Sequence, residues 1–190
     1  MKLKKKIILG SASPRRRELL SGLDIDYSVR LVADIEENYP DELECERIPV
    51  YIAEQKSSAY HLSEDELLIT ADTIVCLDGK VYGKPHDDAE AYRMLSALSG
   101  RTHQVITGVC IRTNEKKVSF ATTTDVTFAT LSDIEIDYYI QKYHPTDKAG
   151  SYGIQEWIGY IGVERIDGSY FNVMGLPVQR LYSLLKNFVD

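Results

Sequence analysis

The chain lacks the marks of several common chemistries. Its three cysteines, Cys45, Cys76 and Cys110, are far apart and form no CxxC, so neither a zinc site nor a disulfide framework is signalled, and a reducing interior is the natural home. The four histidines, His61, His86, His103 and His144, show no HxH or HExxH spacing, which leaves zinc hydrolysis nothing to rest on. No GxSxG surrounds Ser11 or Ser13, and neither GxxxxGK[ST] nor GxGxxG occurs. Long apolar runs are missing too. The charged start MKLKKK leads only into Ile7 to Leu9, far short of the roughly 7–15 apolar residues of a secretion signal, and no later stretch could span a bilayer. Basic residues are in deficit, 22 Lys and Arg against 29 Asp and Glu, for a net charge of -7. That balance excludes broad attraction to nucleic acid or an anionic membrane, so any bound anion must meet a local basic pocket. A cytoplasmic protein with neither nucleic acid nor membrane as partner is expected.

What is present is enough for a core. At 190 residues, 44% hydrophobic and 27% charged, the chain can close one globular domain or two closely packed lobes. KKKIILGS reads as a first strand, followed at once by a helix with Ser13 as N-cap, Pro14 in the first turn and Gly22 as stop. DYSVRLV reads as a second strand. An acidic loop then leads to a helix starting near Pro49, with Ile52, Ala53, Ala59 and Tyr60 inward and Lys56 near the edge of the stripe. LLITADTIVCL is a strand-forming run with a short return strand in LDGKVYGKP. DDAEAYRMLSALSG predicts a helix stopped by Gly100, and HQVITGVCIR with KVSFATTTDVTFAT predicts two long strands joined through TNEK. Ser132 and Glu135 form a capping box for a helix ending before Pro145. The tail reads as a glycine-punctuated loop, a hairpin around IDGS and a last helix from about Leu176 to Phe188. Strands and helices alternate early while hairpins dominate later, so an α/β fold with a mixed β-sheet and flanking helices is expected.

Three arginines, Arg15 to Arg17, follow the GSASP turn. A strand, a Gly-Ser turn and a helix N-terminus direct N–H groups and the positive helix end at one spot, which favours an anion, and Arg15 and Arg16 add bidentate donors for phosphate. A capped surface helix with solvated arginines is the competing reading. Asp72 is unusual in the apolar ITADTIV, because a carboxylate buried alone is expensive. It is a metal ligand, a general base or a salt-bridged structural group. Glu36 and Glu37 could supply a further carboxylate to a hard Mg2+ or Mn2+ ion, which takes oxygen ligands and keeps several waters. Lys56 and Lys84 read singly as solvated lysines. Gln155, between Gly153 and Trp157, is either a surface amide or a reader of a base.

Taken in order, GSASPRRRELL, the IEE loop, IAEQKSSA, ADTIVCLDGKVYGKP, LSGRTHQVITGV, DKAGSYGIQ and IDGSYFNVMGLP resemble the Maf (septum-formation) family over nearly the whole chain. The resemblance implies one functional domain over residues 1–190 and an inosine-triphosphatase-like architecture of two lobes around a cleft, assembled as a homodimer. It implies a metal-dependent nucleoside triphosphate pyrophosphatase: water attacks the alpha phosphorus, and a nucleoside monophosphate and pyrophosphate leave. By position, Ser11, Arg15 and Arg16 match the phosphate-gripping loop, Lys56 and Lys84 the lysines that face the triphosphate, and Glu37 and Asp72 the acidic metal-holding positions. Asp72 also matches the proton acceptor. Arg15, Thr73 and Gln155 match positions tied to choice of base, and KAGSYGIQ resembles the dTTP/UTP branch, with normal or modified pyrimidine nucleotides as substrates in a house-cleaning role. The Gln155 carboxamide suits the N–H and carbonyl edge shared by uracil and thymine, although an amide turned over offers the reverse pattern to cytosine. Where that branch has glycine after the glutamine, this chain has Glu156. Two rivals remain at this stage: a non-catalytic nucleotide-binding regulator of cell division, and a metal-dependent phosphomonoesterase that would release orthophosphate.

Overall fold

The computed structural model describes residues 5–33 and 35–188. Lys4 of the expected first strand and Asp34 of the acidic loop therefore lie outside the described residues. The elements run β1 (Lys6–Leu9), α1 (Pro14–Ser21), β2 (Tyr27–Val29), α2 (Ile48–Ser58), β3 (Glu66–Leu77), β4 (Lys80–Tyr82), α3 (Asp88–Leu98), β5 (Thr102–Arg112), β6 (Lys117–Phe128), α4 (Asp133–Tyr143), α5 (Trp157–Gly162), β7 (Val163–Asp167), α6 (Tyr170–Met174) and α7 (Val178–Leu185). One sheet has the order β2-β1-β3-β5-β6-β7, with β4 added to β3. β1 pairs in parallel with β2 and β3, whereas β3–β4 and β6–β7 are antiparallel, so the sheet is mixed as expected.

By their contacts the residues separate into two compact units. The first takes residues 1–72, 107–122 and 175–190, and the second takes 73–106 and 123–174. In the first, the β1 side chains of Ile7, Ile8 and Leu9 are buried beside Leu67, Leu68 and Ile69 of β3. Leu19 and Leu20 come from α1, and Ile48, Ile52 and Ala53 from α2. Thr113 closes the turn after β5 by accepting the backbone N–H of Lys116 on its hydroxyl, at 3.1 Å, which confirms the TNEK connection. In the second unit α3 buries Ala91, Met94, Leu95 and Leu98, and α4 buries Ile136, Tyr139 and Ile140. The Ser132–Glu135 capping box is formed in both directions. A fully internal His103 donates or accepts at 2.7 Å with Tyr152 and meets Phe128 edge to face. Burial lowers its pKa from 6.5 to about 4.

Four expectations need correction. The second strand is only three residues long; just past it Arg30 donates its backbone N–H to the Leu9 carbonyl at 3.2 Å and its side chain to Glu66. IDGS is not the tip of a local hairpin: β7 pairs with the earlier β6, and Ser169 instead opens α6. The last helix begins at Val178 and tightens to a 3-10 turn over Lys186–Phe188. Cys110 is a buried free thiol, but Cys45 and Cys76 are disulfide-bonded, which sequence spacing does not signal because disulfide geometry depends on distance in space.

Candidate active site

Six of the sequence-selected residues fall in the first unit. At the β1–α1 junction Ser13 accepts the Arg16 backbone N–H on its side chain at 3.4 Å, Pro14 sits in the first turn, and α1 runs to Ser21. Gly22 ends the helix in right-handed conformation, so its role there is not a left-handed cap. Ser11 is buried, and its hydroxyl accepts from Ser13 N–H and from Arg16 Nη1, each at 3.3 Å. Arg16 also donates from Nε to the Gly175 carbonyl at 2.8 Å. These contacts aim a partly buried guanidinium across the turn rather than into solvent. Burial lowers the Arg16 pKa; Asp72 opposes that, Arg15 reinforces it and Glu37 opposes it, so all three charges act on Arg16.

Lys56 is where the acidic and basic residues converge. Its Nζ lies 2.8 Å from Asp72 Oδ1 and 2.9 Å from Glu37 Oε1. The lysine side chain is 14% exposed and that of Asp72 12%, whereas Glu37 is 46% exposed. The expectation that Lys56 lies at the edge of the helix stripe thus gives way to a lysine folded inward. The reason is the packing of α2. Thr70 donates its hydroxyl to the Ala53 carbonyl at 2.7 Å. Lys56 is three residues further along the same helix face and Asp72 two residues further along the same strand face, so the ion pair is the next rung of one helix-to-strand ladder. At the C-terminal end of α2, next to Lys56, Arg112 donates to the Ser57 and Tyr60 carbonyls at 2.8 and 2.7 Å, satisfying helix-end acceptors. Gly108 lets the first turn of α2 approach: a Cβ there would stand 2.2 Å from the Pro49 and Val50 backbone. Glu37 is carried by a loop that Ile35 anchors against Ile8, Tyr60 and Leu68.

Thr70, Gly108 and Arg112 were missed in the sequence. Thr70 could have been found as a second polar residue two positions before Asp72 in an otherwise apolar strand. Gly108 could have been found as a glycine inside a strand, a sign of close backbone approach.

Thr73, Lys84 and Gln155 belong to the second unit. Thr73 follows Asp72 on β3 and is partly buried. Lys84 is exposed just past β4, in the segment where the Gly83 carbonyl accepts from Gly150 N–H at 3.0 Å. Gln155 lies in a turn closed by Glu156 N–H on the Gly153 carbonyl at 2.9 Å, immediately before α5. Its Oε1 is buried with no hydrogen-bond partner among the described residues. Glu36 is exposed and accepts from Asn38 Nδ2 at 3.2 Å.

Chemically, the first unit offers two arginines and a lysine for an anion beside two hard carboxylate oxygens for a cation. Among the described residues no group of three or more His, Cys, Asp or Glu side chains could hold a metal by itself. Glu37 and Asp72 touch the same ammonium and so are close neighbours. An oxygen-only pair of this kind fits Mg2+ or Mn2+, which characteristically take one or two carboxylates and complete their shell with water and substrate phosphates.

The mixed sheet with flanking helices is shared with a known α/β architecture. The Ham1 protein of Staphylococcus aureus superposes with a TM-score of 0.54 over 96% of this chain and 99% of that one, at 17% identity, a likeness of fold alone. A profile of the family described as "Maf-like protein" matches residues 6–188, and the chain belongs to that family. A relative from Phocaeicola vulgatus named dTTP/UTP pyrophosphatase is 65% identical over 185 residues, spanning 96% of each chain. Another of the same name from Parabacteroides distasonis is 62% identical over 187 residues, 97% of each. No helix among the described residues is long and apolar enough to cross a membrane.

Proposed function

We propose that this protein hydrolyses dTTP and UTP, or modified pyrimidine triphosphates, to the nucleoside monophosphate and pyrophosphate. The observation that carries the reading is the Glu37–Lys56–Asp72 cluster lying within the field of Arg16 in one unit. The names and high identity of the relatives support the choice of nucleotide.

In this reading Arg15, Arg16 and Lys56 offset the triphosphate charge and the charge that develops on the leaving pyrophosphate, and Ser11 holds Arg16 in place for that task. Asp72 orients the attacking water and takes its proton. Mg2+ or Mn2+, held by Glu37 and Asp72, supplies further neutralisation of phosphate charge when bound. Lys56 already stands between the two carboxylates, so their mutual repulsion is partly offset before substrate arrives. Lys84 is a further phosphate contact, and Thr73 and Gln155 are contacts to the nucleoside. The matched span acts as one catalytic domain in a homodimer, which sedimentation would test.

The deciding experiment is a panel of normal and modified nucleoside triphosphates with Mg2+ and Mn2+, scored for pyrophosphate and monophosphate. Orthophosphate as the product would point to the phosphomonoesterase, and binding without turnover to the regulator. Asp72→Asn should lower turnover by on the order of 10³-fold, with an unchanged melting profile. Near-normal hydrolysis by that variant would refute the role given to Asp72.

A further inference from the structure

Gln155 poses a problem that its own residue type does not solve. A carboxamide reads a pyrimidine only if its carbonyl and amino ends are fixed, since a half-turn about the last side-chain bond exchanges donor and acceptor. The Oε1 atom is buried without a partner among the described residues, so hydrogen bonding within the protein does not hold the carbonyl end. An acceptor left unsatisfied in this way is destabilising, a cost expected where a ligand completes the bond.

The adjacent Glu156 supplies an orienting charge. A Cβ placed on Gly153 would lie 2.9 Å from Glu156 Cδ, 3.0 Å from Glu156 Oε2 and 3.1 Å from Gln155 Nε2. The carboxylate and the amino end of the amide therefore crowd over the same bare glycine. A negative group on that side favours the NH2 end of the amide dipole and disfavours the carbonyl.

Glu156 is itself held from two directions. Tyr139, fully buried, donates its hydroxyl to Glu156 Oε2, and the same hydroxyl accepts the Gly153 N–H at 3.0 Å. Lys148 Nζ stands 3.1 Å from Glu156 Oε1, with side chains only 8% and 20% exposed. Burial, then the hydrogen bond to Glu156, raise the Tyr139 pKa, which keeps the phenol a donor. Glu156 occupies the N-cap position of α5, yet its side chain makes no capping bond. The carboxylate is committed to Tyr139 and Lys148 instead, and both ends of the Gly153–Glu156 turn are tied to one phenol.

We propose that Glu156 is a positioning residue for base recognition: through Tyr139 and Lys148 it fixes the turn, and by its charge it sets the Gln155 amide with the carbonyl free to accept the ring N–H of uracil or thymine. In that orientation the carbonyl repels the unprotonated ring nitrogen of cytosine. The inference rests on the pyrimidine triphosphatase reading above.

The test compares Glu156→Gln, which is isosteric and can still accept from Tyr139 but has no charge, with Tyr139→Phe and Glu156→Asp. The ratio of kcat/KM for UTP to that for CTP should fall about tenfold in Glu156→Gln, equivalent to about 1.4 kcal/mol. The change should lie in KM for UTP, with kcat within about threefold, since the residue does not act on the phosphates. Tyr139→Phe should shift the ratio the same way but less, and Glu156→Asp should restore part of it. Calorimetric binding of UMP and CMP should follow the same order without any dependence on turnover. A ratio unchanged within about twofold in Glu156→Gln, or a uniform loss of kcat on both nucleotides, would overturn the proposal and leave Glu156 a structural partner of Lys148. Wild-type protein that discriminates UMP from CMP yet releases no pyrophosphate would sink the reading of function and not this one.

Discussion

The two units keep their functional groups in opposite ways. In the first, the candidates are charged, sit on or beside regular elements, and are paired: Arg16 with Ser11 and Gly175, Lys56 with Glu37 and Asp72. In the second, the most telling candidate is a neutral amide on a glycine-bounded turn, with one end left unsatisfied. Charge is anchored through contacts to the α2 backbone at three points, Gly108, Thr70 and Arg112, whereas the amide is anchored by a relay of side chains. A polyanion needs strong fields at fixed points, and a base edge needs a correct donor and acceptor order. The contrast predicts that the first unit tolerates little backbone change and that the second answers to changes of side-chain charge.

The harshest way to break that contrast is Gly108→Ala. Its methyl would meet the α2 backbone at 2.2 Å, where no flexible side chain can give way, and stability should fall by at least about 3 kcal/mol in urea unfolding. Acid titration of stability comes next and separates the units by window. His103 is buried neutral with its pKa lowered to about 4, so below 6.5 the unfolded chain takes up a proton that the folded chain refuses. Stability should therefore drop as pH falls from 6.5 towards 4, by about 2–3 kcal/mol, and His103→Gln should flatten that part of the curve. Glu66 in the first unit acts lower. Hydrogen bonding to Arg30 and then to Ser63 N–H holds its pKa at about 2, so its contribution is complete above 4.5 and is lost between 4.5 and 2. Because Arg30 is 41% exposed, screening limits the effect, and Glu66→Gln should cost about 1–2 kcal/mol at neutral pH and remove the low window. The mildest change is Gly153→Ala, whose nearest contacts are the side-chain ends of Glu156 and Gln155 rather than backbone. A cost of about 1 kcal/mol is expected, with base preference altered more than stability.

The local features of the fold were legible where a few adjacent residues decide the outcome. Ser13 and Pro14 opening α1, the Ser132–Glu135 box and the Thr113 turn each act over two to four residues, and the structure has all three. The IDGS segment failed for the opposite reason: a glycine-centred turn suggests a hairpin, but the partner of β7 is a strand more than thirty residues earlier. Asp72 was legible as an anomaly, a carboxylate in an apolar strand. Its pairing with Lys56 was not, because it depends on Thr70 bonding to Ala53 to set which helix turn faces which strand residue. Glu156 was visible as an added charge near the supposed base pocket. Its engagement with Tyr139 and Lys148 depends on two other segments of the chain folding onto the turn.

Because α2 is clamped at Gly108, Thr70 and Arg112 and the Lys56 ammonium is paired with Glu37 and Asp72, that ammonium is placed when the chain folds and not when an anion arrives. The conformational entropy of a long lysine stem is then already surrendered in the resting protein, so association is opposed chiefly by the ordering of the incoming molecule. A cation prepared in this way meets the anion already in place, with part of its charge offset by Glu37 and Asp72.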